Sequence, residues 1–338
     1  MKYFKLIMIL LAGIMLVSCD QQSGKSGNET IAVVSDTSSV EELSSLIRED
    51  SANAALYHQR ALLYLGQEQQ NLAMRDMLTA IQLDRENASY MLTLSDIYMS
   101  MGLFDNCVEA LEKALEIDPE NNESMLKLAE LNLILKKYKE ALQYADKAID
   151  MNRSNPLPYF LKGFTYAEAG DTVSAIKNYL EAIDKDQNYY DAYIQLGFIY
   201  STRGNRLAID YFNNALNIDP ESIEALYALG IFYQESGDAE NAISAYNKIL
   251  VISPGYVYAY YNLGYINLVL LDDYRTATNY FKQVLELDPE YFEAAYNLGY
   301  CHELLGEYAQ AREMYNRALE VEVNYQRAID GLNRISGK

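Results

Sequence analysis

Residues 292–325, FEAAYNLGYCHELLGEYAQAREMYNRALEVEVNY, contain the pattern that decides the fold. Apolar and small residues recur in it at intervals of three and four, which is the period of a helix with one buried face. Gly306 divides the stretch, and a glycine directly after a helical run is a common helix stop. The stretch therefore predicts two helices joined by a turn. Its landmark residues are Leu298, Gly299, Gly306, Tyr308, Ala311, Tyr315 and Ala318.

The same landmarks return about every 34 residues along the chain. Leu-Gly also stands at 196–197, 229–230 and 263–264, and Asp-Pro stands at 118–119, 219–220 and 288–289. A fixed period of this length is typical of a solenoid built from repeated units. The spacing predicts units at 54–87, 88–121, 122–155, 156–189, 190–222, 223–256, 257–291 and 292–325. The fifth unit is one residue short and the seventh one residue long, and we expect both changes in the turn between helices.

This pattern resembles the tetratricopeptide repeat, whose units carry Leu-Gly at positions 7 and 8, Gly at 15, small residues at 20 and 27, an aromatic at 24 and Pro at 32. The resemblance covers roughly four fifths of the chain. It implies an all-α fold, a right-handed α-solenoid of about eight helix–turn–helix units. The early units depart from the pattern, since Arg60-Ala61 replaces Leu-Gly in the first unit and Leu128-Ala129 replaces it in the third.

Shorter helical patterns flank the repeats at both ends. Residues 39–53 and 326–338 each carry apolar residues at helical spacing. A solenoid needs capping segments because its terminal units would otherwise expose their apolar faces. We therefore expect an N-terminal and a C-terminal capping helix.

The N-terminal residues predict a targeting segment. Lys2 and Lys5 precede an apolar run over 6–17, which is too short to span a bilayer comfortably and suits a signal peptide. The run ends in Leu16-Val17-Ser18-Cys19, which resembles the lipobox of bacterial lipoproteins. That resemblance implies that residues 1–18 are removed and that Cys19 is lipidated. The alternatives are an ordinary cleaved signal peptide or an anchor helix.

Residues 19–38 are rich in Ser, Gly, Gln and Thr and predict a flexible tether. With a lipid on Cys19, the chain would be held at a membrane of the bacterial cell envelope. It would lie on the periplasmic side or on the cell surface, and the sequence leaves open whether the membrane is the inner or the outer one.

The composition argues against several classes of function. The net charge is −21, which disfavours nucleic acid because phosphate binding requires clustered Lys and Arg. Two His and three Cys offer few ligands for a metal. His302-Glu303 begins like a zinc-protease helix, but the position of the second His is Gly306. No catalytic constellation and no cofactor motif is recognised, so we expect a protein that is not an enzyme.

A second stripe of the first helices lies about 130° from the packed stripe and contains positions 2, 5, 9 and 12. In the family that the chain resembles, this stripe lines a concave groove where partners bind, and Asn at position 6 holds a peptide backbone. The predicted groove residues are Phe160, Phe164, Ile194, Phe198, Tyr227, Tyr258, Tyr261, Asn262, Tyr265, Tyr296, Asn297 and Tyr300. Carboxylates are interleaved with them. The alternative is that tight coiling buries these aromatic side chains against neighbouring units.

Two hypotheses of function follow. The first is a scaffold or adaptor that binds a protein or an extended peptide bearing Lys or Arg, through cation–π contacts and charge pairing. The second is a glycan-binding accessory for polysaccharide uptake, with Tyr261, Tyr265, Tyr296 and Tyr300 as a stacking platform. Binding of a basic peptide should weaken as salt rises, whereas binding of a neutral sugar should barely respond. The oligomeric state stays open.

Overall fold

The structure is a computed structural model that describes residues 39–338, and within that range it contains 18 α-helices and no strand. The prediction of an all-α solenoid is confirmed. The helices are α1 Val40–Glu49, α2 Ala54–Gly66, α3 Gln70–Leu83, α4 Ala88–Ser100, α5 Phe104–Ile117, α6 Asn122–Ile134, α7 Tyr138–Met151, α8 Leu157–Glu168, α9 Thr172–Lys185, α10 Tyr190–Ser201, α11 Leu207–Ile218, α12 Ile223–Glu235, α13 Ala239–Ile252, α14 Val257–Val269, α15 Tyr274–Leu287, α16 Phe292–Leu304, α17 Tyr308–Val321 and α18 Gln326–Arg334. Helices α2 to α17 form eight consecutive pairs, and each helix packs on the next.

Each pair is closed by a small residue of the first helix that faces a larger side chain of the second. In the later units this is glycine against an aromatic ring, and a Cβ built on Gly197 would lie 2.4 Å from the ring of Phe212. The equivalent contacts are Gly163–Tyr179, Gly230–Tyr246, Gly264–Phe281 and Gly299–Tyr315. The aromatic ring therefore fills the volume that the absent glycine side chain leaves.

The early units make the same contact with different residues. Where position 8 is not glycine, position 24 is not aromatic: the pairs are Ala61 with Met77, Ser95 with Leu111, and Ala129 with Ala145. All six residues are buried. A larger residue at one position is matched by a smaller or more flexible one at the other, as close packing requires. The departure from the repeat pattern is thus compensated within each pair.

The turns between paired helices need a residue in the left-handed region of backbone space. Gly306 takes this role with a φ of 77°, as glycine does in four other units. The first and third units place Glu68 (φ 57°) and Lys136 (φ 58°) there, a conformation that L-residues adopt at a cost. In the seventh unit the extra residue lies in this turn, where Asp272 has a φ of 52°.

Both ends are capped by a single helix. Helix α1 begins with a capping box, in which the Ser39 and Glu42 side chains each accept from the other's backbone N–H, and it buries Leu43 and Ile47. Helix α18 buries Ala328 and places Gly331 against the Tyr315 ring.

None of the helices between residues 39 and 338 has both the length and the apolar character needed to cross a bilayer. The predicted signal peptide, Cys19 and the tether lie outside the described residues.

Candidate partner-binding groove

The first helices of the pairs form the inner side of the solenoid. The most extensive contacts between alternate helices join first helices, such as α6 with α8, α10 with α12 and α14 with α16. The first helices therefore approach one another more closely than the second helices do, and a stack of helix pairs curves toward the closer layer. The surface of α8, α10, α12, α14 and α16 on this side is called the groove below.

Three predicted groove residues lie in the hydrophobic core instead. Phe160 is 2% exposed, and its ring contacts those of Phe164, Tyr179 and Tyr189 at centroid distances of 5.4–6.2 Å. Phe164 and Ile194 are buried as well. For these three residues the prediction of a groove position is wrong and the alternative, burial against neighbouring side chains, holds, because side chains of the same and the following unit cover them. They are not available for direct contact with a partner.

The remaining aromatic residues reach the surface to different extents. Tyr258 is 53% exposed and Tyr265 is 37% exposed, which makes them the most accessible of the set. The half-buried members are Phe198, Tyr227, Tyr261, Tyr296 and Tyr300. The accessible aromatic surface is therefore concentrated in the sixth to eighth units.

The two predicted asparagines orient the tyrosines of the preceding unit. Asn262 Nδ2 donates to the Tyr227 hydroxyl at 3.3 Å, and Asn297 Nδ2 donates to the Tyr261 hydroxyl at 3.1 Å. Both asparagines are buried, and their amide oxygens accept no hydrogen bond from the described residues. Each tyrosine oxygen accepts from an amide, so its O–H is free to donate elsewhere.

Sequence reasoning missed a set of tyrosines at the N-caps of three first helices and of the capping helix α18. Tyr256 packs on Tyr227 at 6.0 Å, and Tyr291 stacks on Tyr261 at 5.0 Å. Tyr189 on Phe160 and Tyr325 on Tyr296 repeat this contact at 5.4 and 5.5 Å. The available signal was a tyrosine directly before three first helices and before the capping helix α18. These residues widen the aromatic lining of the groove.

Two carboxylates of the groove, Asp191 and Glu224, have no basic partner close by. Burial raises the pKa of Asp191 and of Glu224, and repulsion from Asp191 raises that of Glu224 further. The first helices α8, α10, α12, α14 and α16 contain one lysine, Lys162, whose Nζ lies 2.5 Å from an Asp146 oxygen. The groove is thus aromatic and acidic, without a free Lys or Arg on these five helices.

The C-terminal end of the groove holds a guanidinium from the chain itself. Arg334 of α18 donates two hydrogen bonds of 2.9 Å to the Glu303 carboxylate, and its guanidinium lies 5.5 Å from the centroid of the Tyr300 ring. Glu303 also accepts from the Tyr315 hydroxyl at 2.5 Å. Tyrosine and carboxylate on this surface therefore bind arginine at one position already.

The His302-Glu303 pair has no metal-site geometry. His302 Nδ1 lies 2.5 Å from a Glu307 oxygen, and Glu303 is engaged by Arg334. Within residues 39–338 no three His, Cys, Asp or Glu side chains are grouped as a metal site.

The fold and groove define a helix-pair solenoid with an aromatic, acidic inner surface. Tetratricopeptide repeat models match residues 54–87, 88–121, 123–155, 223–256 and 268–332, which together exceed half of the chain. The chain therefore belongs to the tetratricopeptide repeat family. Proteins of this family act as protein-interaction scaffolds and are generally not catalytic.

Individual relatives match over parts of the chain. The photosystem I assembly protein Ycf3 of Acaryochloris marina is 30% identical over 89 residues, which are 25% of this chain and 54% of that protein. The chain thus spans about half the length of this curated relative.

Two solved structures share the fold. The C-terminal part of a tetratricopeptide repeat protein from Cytophaga hutchinsonii has a TM-score of 0.63 at 21% identity, covering 73% of this chain and 99% of that one. A tetratricopeptide repeat protein from Parabacteroides merdae has a TM-score of 0.50 at 16% identity, covering 74% and 99%.

Proposed function

We propose that this protein is a non-enzymatic adaptor that holds an extended, Lys- or Arg-bearing segment of a partner protein in its groove. The observation that carries the proposal is that the five groove helices carry both the accessible tyrosines Tyr258 and Tyr265 and the carboxylates Asp191 and Glu224, which have no basic partner there. A contiguous exposed aromatic surface is costly to leave in water and is typical of an interaction site.

The charge distribution supports a cationic occupant. Asp191 and Glu224 are partly buried and repel each other, so an incoming cation would relieve both the repulsion and the unpaired charge. The contact of Arg334 with Tyr300 and Glu303 is a chemical precedent on the same surface. A peptide with a free C-terminal carboxylate would instead meet repulsion.

The spacing of the units favours an extended segment. Packed helices lie about 8–10 Å apart, and an extended chain advances about 3.3 Å per residue. Basic residues separated by about three positions would therefore reach carboxylates on neighbouring first helices. The Asn262 and Asn297 amide oxygens and the tyrosine hydroxyls beside them are suited to bond its backbone.

The cellular setting is also part of the proposal. Lipidation of Cys19 would hold the solenoid at a bacterial envelope membrane, with residues 19–38 as the tether. An adaptor role agrees in kind with the assembly function in the name of the Acaryochloris relative. For the anchor, Cys19→Ala should move the protein from the membrane to the soluble fraction of host cells, and retention in the membrane would refute lipidation.

The groove is tested by crosslinking and mass spectrometry in the native host. The variant Tyr258→Ser/Tyr265→Ser changes two accessible groove residues. The matched control, Val173→Ser/Val251→Ser, changes two residues on second helices that are 79% and 83% exposed. A partner captured by the wild type and the control but lost from the groove variant supports the proposal. Equal capture by all three proteins would contradict it.

Salt distinguishes the occupants once a partner is known. A basic segment should bind less tightly as ionic strength rises, because exposed charges are screened over about 10 Å at 0.1 M salt. Affinity that does not change with salt would contradict a cationic partner and favour a neutral glycan in the groove.

A further inference from the structure

A second concavity lies away from the groove, between second helices of the fourth and fifth units. It has a volume of about 550 Å³ and is bounded by α9, α11 and the first turn of α10. None of its lining residues belongs to the groove. Its polar lining consists of Asp184, Gln187, Asn188, Tyr193, Asn214 and Asn217.

Four carboxamides are the distinctive feature of this concavity. The side chains of Gln187, Asn188, Asn214 and Asn217 form no hydrogen bond with any described residue. Each of them offers two donors and an acceptor with two lone pairs. Three aliphatic side chains complete the wall beside the half-buried ring of Tyr193. The concavity therefore combines uncharged hydrogen-bonding groups with apolar contact surface.

This chemistry narrows the class of ligand. A hydroxyl group both donates and accepts hydrogen bonds, and a carboxamide can accept a hydrogen bond from it as well as donate one to it. Asp184 is the one charged side chain in the lining, and it already accepts from Lys185 Nζ at 2.9 Å. A single carboxylate makes a weak cation site, since calcium takes six to eight oxygens and usually several carboxylates. The same carboxylate disfavours an anionic ligand.

One of the four carboxamides, Gln187, is present because the fourth unit departs from the repeat. Four other units carry proline where the fourth has Gln187, namely Pro119, Pro220, Pro254 and Pro289. Proline contributes no side-chain donor or acceptor. The turn after α9 thus presents a carboxamide at the position where those units present a proline ring.

We propose that this concavity is a binding site for a neutral saccharide, with Gln187, Asn188, Asn214 and Asn217 bonding ring hydroxyls and Tyr193 supporting an apolar sugar face. The site is separate from the groove, so it neither depends on nor replaces the partner-binding role. It would give the protein a second ligand of a different chemical class.

The test uses the full chain and three neutral probes: chitotriose, maltotriose and cellotriose. Saturation-transfer NMR reports contact with the protein, and titration calorimetry gives the affinity. The variant Asn214→Ala/Asn217→Ala removes two exposed carboxamides without breaking an internal bond. Asn213→Ala is the matched control, because Asn213 is exposed on the same helix but does not line the concavity.

We expect at least one probe to bind the wild type and Asn213→Ala equally, and the double variant to bind about tenfold more weakly, as loss of hydrogen bonds to hydroxyls predicts. The groove variant Tyr258→Ser/Tyr265→Ser should bind the sugar like the wild type. The proposal is overturned if no probe binds at about 20 mM, where a millimolar site would be nearly filled. It is also overturned if the double variant matches the wild type, or if calcium alone raises the melting temperature of the wild type and not of the double variant.

Discussion

The hydroxyl of Tyr179 has no hydrogen-bond partner among the described residues, although the side chain is fully buried. Its counterparts in two other units are satisfied: Tyr246 donates to Gln234 at 3.3 Å, and Tyr315 donates to Glu303 at 2.5 Å. Each partner lies twelve residues before its tyrosine. Twelve residues before Tyr179 is Ala167, whose side chain carries no acceptor.

The perturbation is therefore Ala167→Gln, which restores the acceptor found beside Tyr246. Ala167 is exposed at the end of α8, so the longer side chain has room. A buried hydroxyl without a partner costs about 1–3 kcal/mol, and a typical internal hydrogen bond contributes about 1 kcal/mol net. We expect the variant to be more stable by about 1 kcal/mol, with the gain located in α8 and α9.

The assay is urea unfolding combined with hydrogen exchange, because a solenoid unfolds partly unit by unit and exchange reports the local gain. A double-mutant cycle with Tyr179→Phe isolates the new bond. Tyr179→Phe alone should be neutral or slightly stabilising, and it should abolish the gain from Ala167→Gln. The reasoning is refuted if Ala167→Gln stabilises the Tyr179→Phe background to the same extent.

Three further predictions concern the turns, the packing and the charges. Lys136→Gly should stabilise the protein by about 0.5–1 kcal/mol in urea unfolding, because glycine adopts the left-handed conformation without strain. The control Lys137→Gly should not stabilise the protein, because Lys137 has a φ of −85°. Gly197→Ala should destabilise the protein by about 1–2 kcal/mol, because overpacking against Phe212 exceeds the gain in helix propensity. The control Gly66→Ala has no atom within 4 Å of the added Cβ and should be neutral or stabilising. Equal effects of the two substitutions would contradict the packing argument. Folding raises the pKa of Asp191, so ionisation of this carboxyl destabilises the folded state as pH rises through that pKa. Asp191→Asn should therefore be more stable than the wild type at neutral pH, and this advantage should shrink toward about pH 4. A stability advantage that does not depend on pH would count against this origin. The same variant should bind a basic partner less tightly.

The sequence predicted the fold well and the surface of the groove only in part. Leu-Gly pairs, turn glycines and the 34-residue period are local features, so they can be counted along the chain. The fate of an aromatic residue on the inner stripe is not local. Phe160 and Tyr258 both belong to the predicted set, yet one is 2% exposed and the other 53%. The difference comes from the side chains that cover each ring. Helical periodicity shows which face of a helix a residue occupies, but it does not show which side chains pack over that face.

The sequence by itself therefore determined the repeat, the helix pairs and the capping ends, because each depends on residue types at fixed spacing within one unit. Only the tertiary structure decided which stripe residues reach the surface and what holds them. The Asn262 bond to Tyr227 and the Asn297 bond to Tyr261 each join residues more than 25 positions apart, in successive units. Such contacts arise only when units stack, since the distance between neighbouring first helices sets which side chains meet.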